Sequence, residues 1–339
     1  MIITQIYFAF FGTITMYYAF KTRNNPEKKN HPEYFKNEIL ISSMFWFLVI
    51  FYPFIFNNYM DGYVKYQVYF HIWNSLTIHF IVWQIHLYFA GRNNKKYNRY
   101  IPYEEFKKHI AAVNEKRKDT LSNIKRKSLH LIPPSIVLGM YAIGLALDPY
   151  LQPVNWNWQI FTVFMAFTVS IHFMFVGLIA DLYRLMNFNR LGKFARGILE
   201  DTIKPNEMDT FTSANSMMLA VIPLYFAPLY ITFTAISVAA ISDALASIVG
   251  KAIGKKRNPN SPKTIEGYVA GTFSAYLIAI GMSYVVPLPG ANIELIRMIA
   301  LGAACGYLLV DYLVKHVHDN FCNPLVCGGL MWQTYLIFL

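Results

Sequence analysis

Charge is scarce in this chain. Only 14% of its 339 residues are Asp, Glu, Lys or Arg, against roughly 25% in a typical soluble domain. Cysteine is scarcer still. Cys305, Cys322 and Cys327 form no CxxC pair and no zinc-ligand spacing, and three thiols cannot all pair within one chain, which leaves no case for a disulfide framework or a zinc module. The signatures of soluble nucleotide and hydrolase chemistry are also missing. Gly250 and Gly254 are separated by three residues and Lys255 is followed by Lys256, so the GxxxxGK[ST] phosphate loop is absent. No GxSxG, HExxH, HRD or DFG stretch occurs, which removes the serine-hydrolase, zinc-protease and protein-kinase readings. Internal repeats and low-complexity tracts are absent too.

What fills the chain is apolar: 55% hydrophobic and 17% aromatic residues. Apolar stretches occupy residues 2–20, 39–57, 66–90, 128–147, 157–180, 212–229, 230–249, 267–287, 295–314 and 323–338. Most reach the roughly 17–25 residues that a bilayer-spanning helix needs. The expectation is an all-α, polytopic integral membrane protein of about ten transmembrane helices with no soluble nucleotide-binding domain. The pair around Pro228 has the alternative of being one long broken segment.

The basic residues give an independent check. If every stretch crosses, loops 21–38, 91–127, 181–211, 250–266 and 315–322 share one side and hold 28 of the 30 Lys and Arg, Lys65 and Arg297 being the exceptions. The positive-inside rule then makes that side cytosolic and both termini external. The net charge of +11 is accounted for by topology and anionic headgroups, so nucleic acid is not an expected partner. The first span lacks a basic leading segment and reads as a retained helix, not a signal peptide.

The loop 91–127 divides three N-terminal spans (1–90) from a seven-span segment (128–339). Within it Tyr103, Phe106, Ile110 and Val113 form an apolar stripe among mixed charges, predicting an amphipathic interfacial helix. His71, His79 and His86 share one span without a carboxylate to complete a ligand set, and read as hydrogen-bonding residues.

The polar residues with chemistry lie in the second segment. Asp243 sits in the apolar run 236–249, where an uncompensated carboxylate costs at least ~2.5 kcal/mol on insertion scales. Lys251, Lys255, Lys256, Arg257 and Lys263 follow beside Gly250 and Gly254. A carboxylate next to cations and glycine backbone fits a metal-bound polyphosphate. It equally fits a structural ion pair flanked by ordinary positive-inside lysines. Thr264 and Glu266 stand at the start of the next span, where helix N–H groups favour anions. Arg126, Lys127 and His130 lie one turn apart before the fourth span. Asp311 lies inside the ninth, and Asp319 with Asn320 offers hard oxygen ligands at the start of the tenth. Glu207, Asp209, Thr212 and Ser213 add carboxylates and hydroxyls expected on the same leaflet.

Taken together these residues resemble the CTP-dependent lipid kinases, the family that includes dolichol kinase, phytol kinase and the CTP-dependent diacylglycerol kinase. Arg126, Lys127 and His130 are similar to its RKxxH element, and Ser242 to Lys251 to its GDAxAsxxG[KR] element. Gly254-Lys255 and Lys263-Thr264-Ile265-Glu266-Gly267 follow as FGK and K[ST]xEG. Asp319-Asn320 with Pro324-Leu325 resembles DNxxxPL. The likeness covers 125–339, and the first three spans resemble nothing nameable. Ser242 replaces a glycine, Ile253 a phenylalanine, and His318 an acid. The related phosphatidate cytidylyltransferases share distant features, but their C-terminal KDxxxxxPGHGGxxDR stretch is not found in 315–339.

The resemblance implies transfer of the γ-phosphate of CTP to a bilayer lipid alcohol (polyprenol, phytol or diacylglycerol type) at the cytosolic face of the ER or plasma membrane. Catalytic roles would fall to Asp243, Asp319 and Glu266, and Mg²⁺ to Asp243, Glu266, Asp311 and Asp319. CTP contacts would fall to Arg126, Lys127, His130, Ser242, Ser247, Lys251, Lys255, Lys263, Thr264 and Asn320. Phosphoryl transfer mainly needs positioning and charge neutralisation, which such residues supply, with Asp243 or Asp319 orienting the alcohol. Two rivals are a CDP-lipid synthase using the same cluster and an ion-coupled transporter using Asp243 and Asp311.

Overall fold

The computed structural model describes residues 1–60, 62–97, 101–116, 131–203, 207–255, 264–314 and 317–339. All regular secondary structure among them is helical. In chain order the α-helices are α1 (Ile2–Thr22), α2 (Pro26–Asn30), α3 (Pro32–Phe51), α4 (Gly62–Lys96), α5 (Tyr103–Lys116), α6 (Ile132–Leu151) and α7 (Trp158–Asn187). There follow α8 (Lys193–Thr202), α9 (Ser213–Val221), α10 (Leu229–Ser237), α11 (Asp243–Ala252), α12 (Ile265–Val285), α13 (Ile293–Leu313) and α14 (Asp319–Phe338).

Seven segments among the described residues are long and apolar enough to cross a bilayer: Ile2–Thr22, Pro32–Phe54, Ile132–Val154, Trp158–Arg190, Leu229–Ala252, Ile265–Val285 and Ile293–Leu313. The protein is an all-helical, multi-pass membrane protein. The other three stretches expected to span are also helical but fall outside that set. Helix α4 is 35 residues long, yet Gln67, His71, Asn74 and Gln84 dilute its apolar face. Helix α14 carries Asn320, Asn323 and Gln333. Residues 213–226 divide into the short α9 and a 3₁₀ segment, Ile222–Phe226, opened by Pro223, because proline interrupts the α ladder.

The chain forms two compact units. The first comprises residues 1–54, 61–126 and 168–219, and the second 55–60, 127–167 and 220–339. In the first unit α1 packs along α3, with Gly12 letting the backbones close in: a Cβ there would lie 3.1 Å from that of Phe45. An aromatic core surrounds this contact, including Phe11–Phe175 at 4.6 Å and Phe8–Tyr52 at 5.4 Å between ring centres.

Helix α5 forms over the expected stripe. Phe106 and Ile110 are buried, at 3% and 0% exposure, and Phe106 stacks within 4.8 Å of Phe188. These two residues therefore pack against protein instead of facing lipid headgroups.

The second unit is organised around the segment Leu229–Ala252, 72% of whose most apolar stretch is buried, more than in any other candidate span. Helices α13 and α14 form an antiparallel hairpin held by small residues at four-residue spacing. A Cβ on Gly306 would approach the Cα of Cys327 to 2.8 Å, and one on Gly302 the Thr334 hydroxyl to 3.1 Å. Helix α12 packs on α13 in the same way. A Cβ on Gly271 would stand 2.3 Å from the ring of Tyr307, which is fully buried. Gly271→Ala is accordingly expected to destabilise the protein by about 1–3 kcal/mol through overpacking. Thermal unfolding in detergent micelles measures this, and an unchanged midpoint would show that the ring shifts without cost.

Candidate functional site

The second unit gathers its polar side chains in two neighbouring places. The first is built where the central segment leaves α-helical geometry. Residues Val238–Ser242 form a π-helical turn, the kind of insertion that re-aims side chains and recurs at functional sites. Asp243 follows as the first residue of α11. This turn packs against α12, α13 and α14.

Across from it the α13–α14 hairpin sets its polar residues at one-turn intervals. Tyr307 and Asp311 stand on α13, and Asp319, Asn323 and Cys327 on α14. Because Gly306 meets Cys327, antiparallel pairing carries Tyr307 and Asp311 toward Asn323 and Asp319. The π-helical turn that precedes Asp243 packs against both α13, which carries Asp311, and α14, which Asp319 begins. Asp311 is 6% exposed and Asn320 3%. The backbone N–H of Asn320 donates to Asp319 Oδ1 at 2.9 Å.

The Ser242 hydroxyl, the Tyr307 hydroxyl and both amide atoms of Asn323 are buried without a hydrogen-bond partner among the described residues. Leaving such groups unsatisfied costs about 1–3 kcal/mol each, and a polar ligand entering there would satisfy them.

The second place is the N-terminus of α12. Thr264 is its N-cap, and its hydroxyl accepts from Gly267 N–H at 3.2 Å. Three glycines crowd this threonine. A Cβ on Gly250 or Gly254 would lie 2.8 or 2.5 Å from Thr264 Oγ1, and one on Gly267 2.9 Å from the Ala246 carbonyl. Side chains are excluded here by the Thr264 side chain at Gly250, by it and the Gly250 carbonyl at Gly254, and by the Ala246 carbonyl at Gly267. Glu266 Oε1 accepts from the Lys255 backbone N–H at 3.1 Å, fastening the chain after α11 to the start of α12. Asp243 and Gly250 lie on one helix, about 10 Å apart at 1.5 Å per residue. Thr264→Ala is expected to cost about 1 kcal/mol by loss of the cap while Thr264→Ser retains most of it. Chemical unfolding of the two variants side by side checks this, and equal losses would show that the hydroxyl is not the stabilising feature.

Of the residues singled out from the sequence, Asp243, Asp311 and Asp319 lie on elements that pack against one another, and Thr264, Glu266 and Lys255 form the adjoining group. Ser242 is buried behind Asp243, and Ser247 is half-buried on α11, whereas Lys251 and Lys255 are exposed. Arg126, Lys127, His130 and Lys263 lie outside the described residues. Glu207, Asp209, Thr212 and Ser213 all find partners within the first unit. Asp209 pairs with Lys107 at 2.6 Å, Glu207 Oε1 accepts from Ser213 N–H at 3.3 Å, and Thr212 donates to Asp181.

Two members of the site were missed. Tyr307 lies one turn before Asp311 and Asn323 one turn after Asp319, so a search for polar residues at i±4 from each buried acid would have found both. Among the described residues no three His, Cys, Asp or Glu side chains stand close enough to form a metal cage. Hard oxygen ligands are nevertheless present at Asp243, Asp311 and Asp319, and Mg²⁺ ordinarily keeps several water or phosphate oxygens beside one or two carboxylates. The residue chemistry and the unsatisfied polar atoms fit such an ion. No family model, curated protein or solved structure matches the chain.

Proposed function

We propose that the protein is a CTP-dependent kinase that phosphorylates a membrane-embedded lipid alcohol to a lipid monophosphate at the basic, cytosolic face. The observation that carries this reading is the packing of the π-helical turn before Asp243 against the helices of Asp311 and Asp319, beside a glycine-walled helix N-terminus. Free N–H groups at such a terminus favour phosphate. A triphosphate resting near Thr264, Gly250 and Gly254 would run along α11 toward the carboxylates. Lys255 and Lys263, with Arg126, Lys127 and His130, would neutralise its charge, and Ser242, Ser247, Lys251 and Asn320 would complete its surroundings.

Mg²⁺ held by Asp243, Asp311 or Asp319 would draw charge from the transferring phosphoryl group. Glu266 holds the Lys255 backbone and so keeps the phosphate-facing loop in register. Asp319 or Asp243 would orient the lipid hydroxyl and take its proton as the oxygen–phosphorus bond forms and CDP leaves.

The test incubates purified protein with γ-labelled CTP, Mg²⁺ and a panel of polyprenols, phytol, diacylglycerol and phosphatidate. Labelled lipid monophosphate with stoichiometric CDP is the expected result. Pyrophosphate with a CDP-lipid would instead make the protein a nucleotidyl transferase. Ion flux in liposomes without nucleotide consumption would make it a transporter.

A further inference from the structure

Within the first unit, α1, α4 and the second part of α7 enclose a groove of about 400 Å³ that lies outside the chemistry described above. Its walls are apolar, formed by Phe10, Phe11 and Ile14 of α1, Phe80 of α4, and Ile179 and Leu182 of α7. One end is polar, with Gln84, Tyr183 and Asn187. The three helices run in the same sense with respect to charge. Lys21 closes α1, Lys95 and Lys96 close α4, and Arg184 lies in the last turn of α7. The polar trio therefore sits toward the basic face, with the aromatic walls deeper in the apolar layer.

Among the described residues the lining carries no Asp, Glu, Lys or Arg. Arg184, next to Tyr183, is 1% exposed and held by Asp181 at 2.8 Å. Transferring a phosphate headgroup into such a lining would strand its charge, whereas a hydroxyl needs only one donor and one acceptor. Tyr183 donates to Gln84 Oε1 at 3.3 Å, which leaves the Gln84 amide hydrogens to donate and the Tyr183 oxygen to accept. Beyond Phe11, Phe80 and Ile179 only about 10 Å³ remains, against His79. A hydrocarbon chain cannot continue inward there. It can leave past Phe10 and Met186, which are 51% and 49% exposed.

We infer that this groove binds an uncharged bilayer lipid bearing a free hydroxyl, with the hydroxyl at Gln84, Tyr183 and Asn187 and the first part of the chain along Phe11, Phe80 and Ile179. The site rests on the first unit alone and does not depend on the kinase reading of the second.

The test uses the full chain in nanodiscs with a diazirine-bearing diacylglycerol and, separately, a phosphatidate with identical chains. Diacylglycerol is expected to label peptides spanning Phe10–Ile14, Phe80–Gln84 and Ile179–Asn187 about tenfold more than phosphatidate does. Ile14→Trp, which fills the groove, is expected to cut that labelling about tenfold at an unchanged unfolding temperature. Should that variant unfold early, Met186→Trp at the exposed mouth decides in its place. Equal labelling by the two lipids, or labelling that persists in a stably folded filled-groove variant, overturns the site.

Discussion

On the proposed kinase function, Asp243→Asn is expected to lower phosphate transfer from CTP by about 10²–10³-fold, the loss usual when one preorganised electrostatic group is removed from a site, with membrane insertion and thermal unfolding unchanged. Asparagine keeps the shape of the side chain and removes only its charge. Asp243 begins α11 directly after the π-helical turn, which packs against the helices that carry Asp311 and Asp319. A variant that inserts and unfolds normally yet transfers no phosphate would place the charge in the chemistry. Turnover within a few-fold of the wild type, in purified protein, would remove Asp243 from any central role.

The second large effect concerns the first unit and has no connection to nucleotide. Arg184→Ala is expected to destabilise the protein by about 3–5 kcal/mol. Its guanidinium is 1% exposed. It pairs with Asp181 at 2.8 Å and donates to the Tyr103 hydroxyl at 2.8 Å and to the carbonyls of Glu207, Met208 and Thr210. Asp181 in turn accepts from Thr212 N–H and Oγ1–H at 2.8 and 2.9 Å, so one ion pair pins the chain from 207 to 212 against α7.

Alanine would leave a buried carboxylate without its cation and take one donor from each of three carbonyls, of which Met208 and Glu207 keep the Tyr103 hydroxyl and the Thr210 N–H. Arg184→Met combined with Asp181→Leu should recover most of the loss, because an apolar pair of similar volume carries no desolvation penalty. The exposed pair Arg297–Glu294, at 2.8 Å, is the control, since its removal should shift stability by no more than about 0.5 kcal/mol. Denaturant unfolding of these variants decides the matter. An Arg184→Ala shift no larger than that of the surface control would rule out the clamp.

Nearby, burial against the first unit's core raises the Tyr103 hydroxyl above its ordinary range and lowers the Lys28 ammonium. Lys28 is held by Glu38 and Thr22. The loops beside the apolar helices thus use buried charge where a soluble protein would use surface charge.

Much of the helical architecture was readable from residue order, because a helix in lipid must satisfy its own backbone and so needs a long apolar run. The stripe Tyr103, Phe106, Ile110 and Val113 marks α5, and Thr264 and Asn292 each cap a helix through a side-chain oxygen. Asp243 and Asp311 stood out because a carboxylate in an apolar run demands a partner, and Asp319 because with Asn320 it offers hard oxygen ligands at the start of a span.

Their neighbours did not stand out. Tyr307 reads as one aromatic residue among many, and only the close approach of Gly271 to its ring and of Gly306 to α14 places it among the carboxylates. Asp181 and Arg184 read as part of the basic loop 181–211, and only their 2.8 Å contact and burial show them to be a structural pair. Periodicity and capping are local and persist whatever the helix packs against. Which faces meet depends on where small residues let backbones approach, and that contact between distant segments was settled only by tertiary structure.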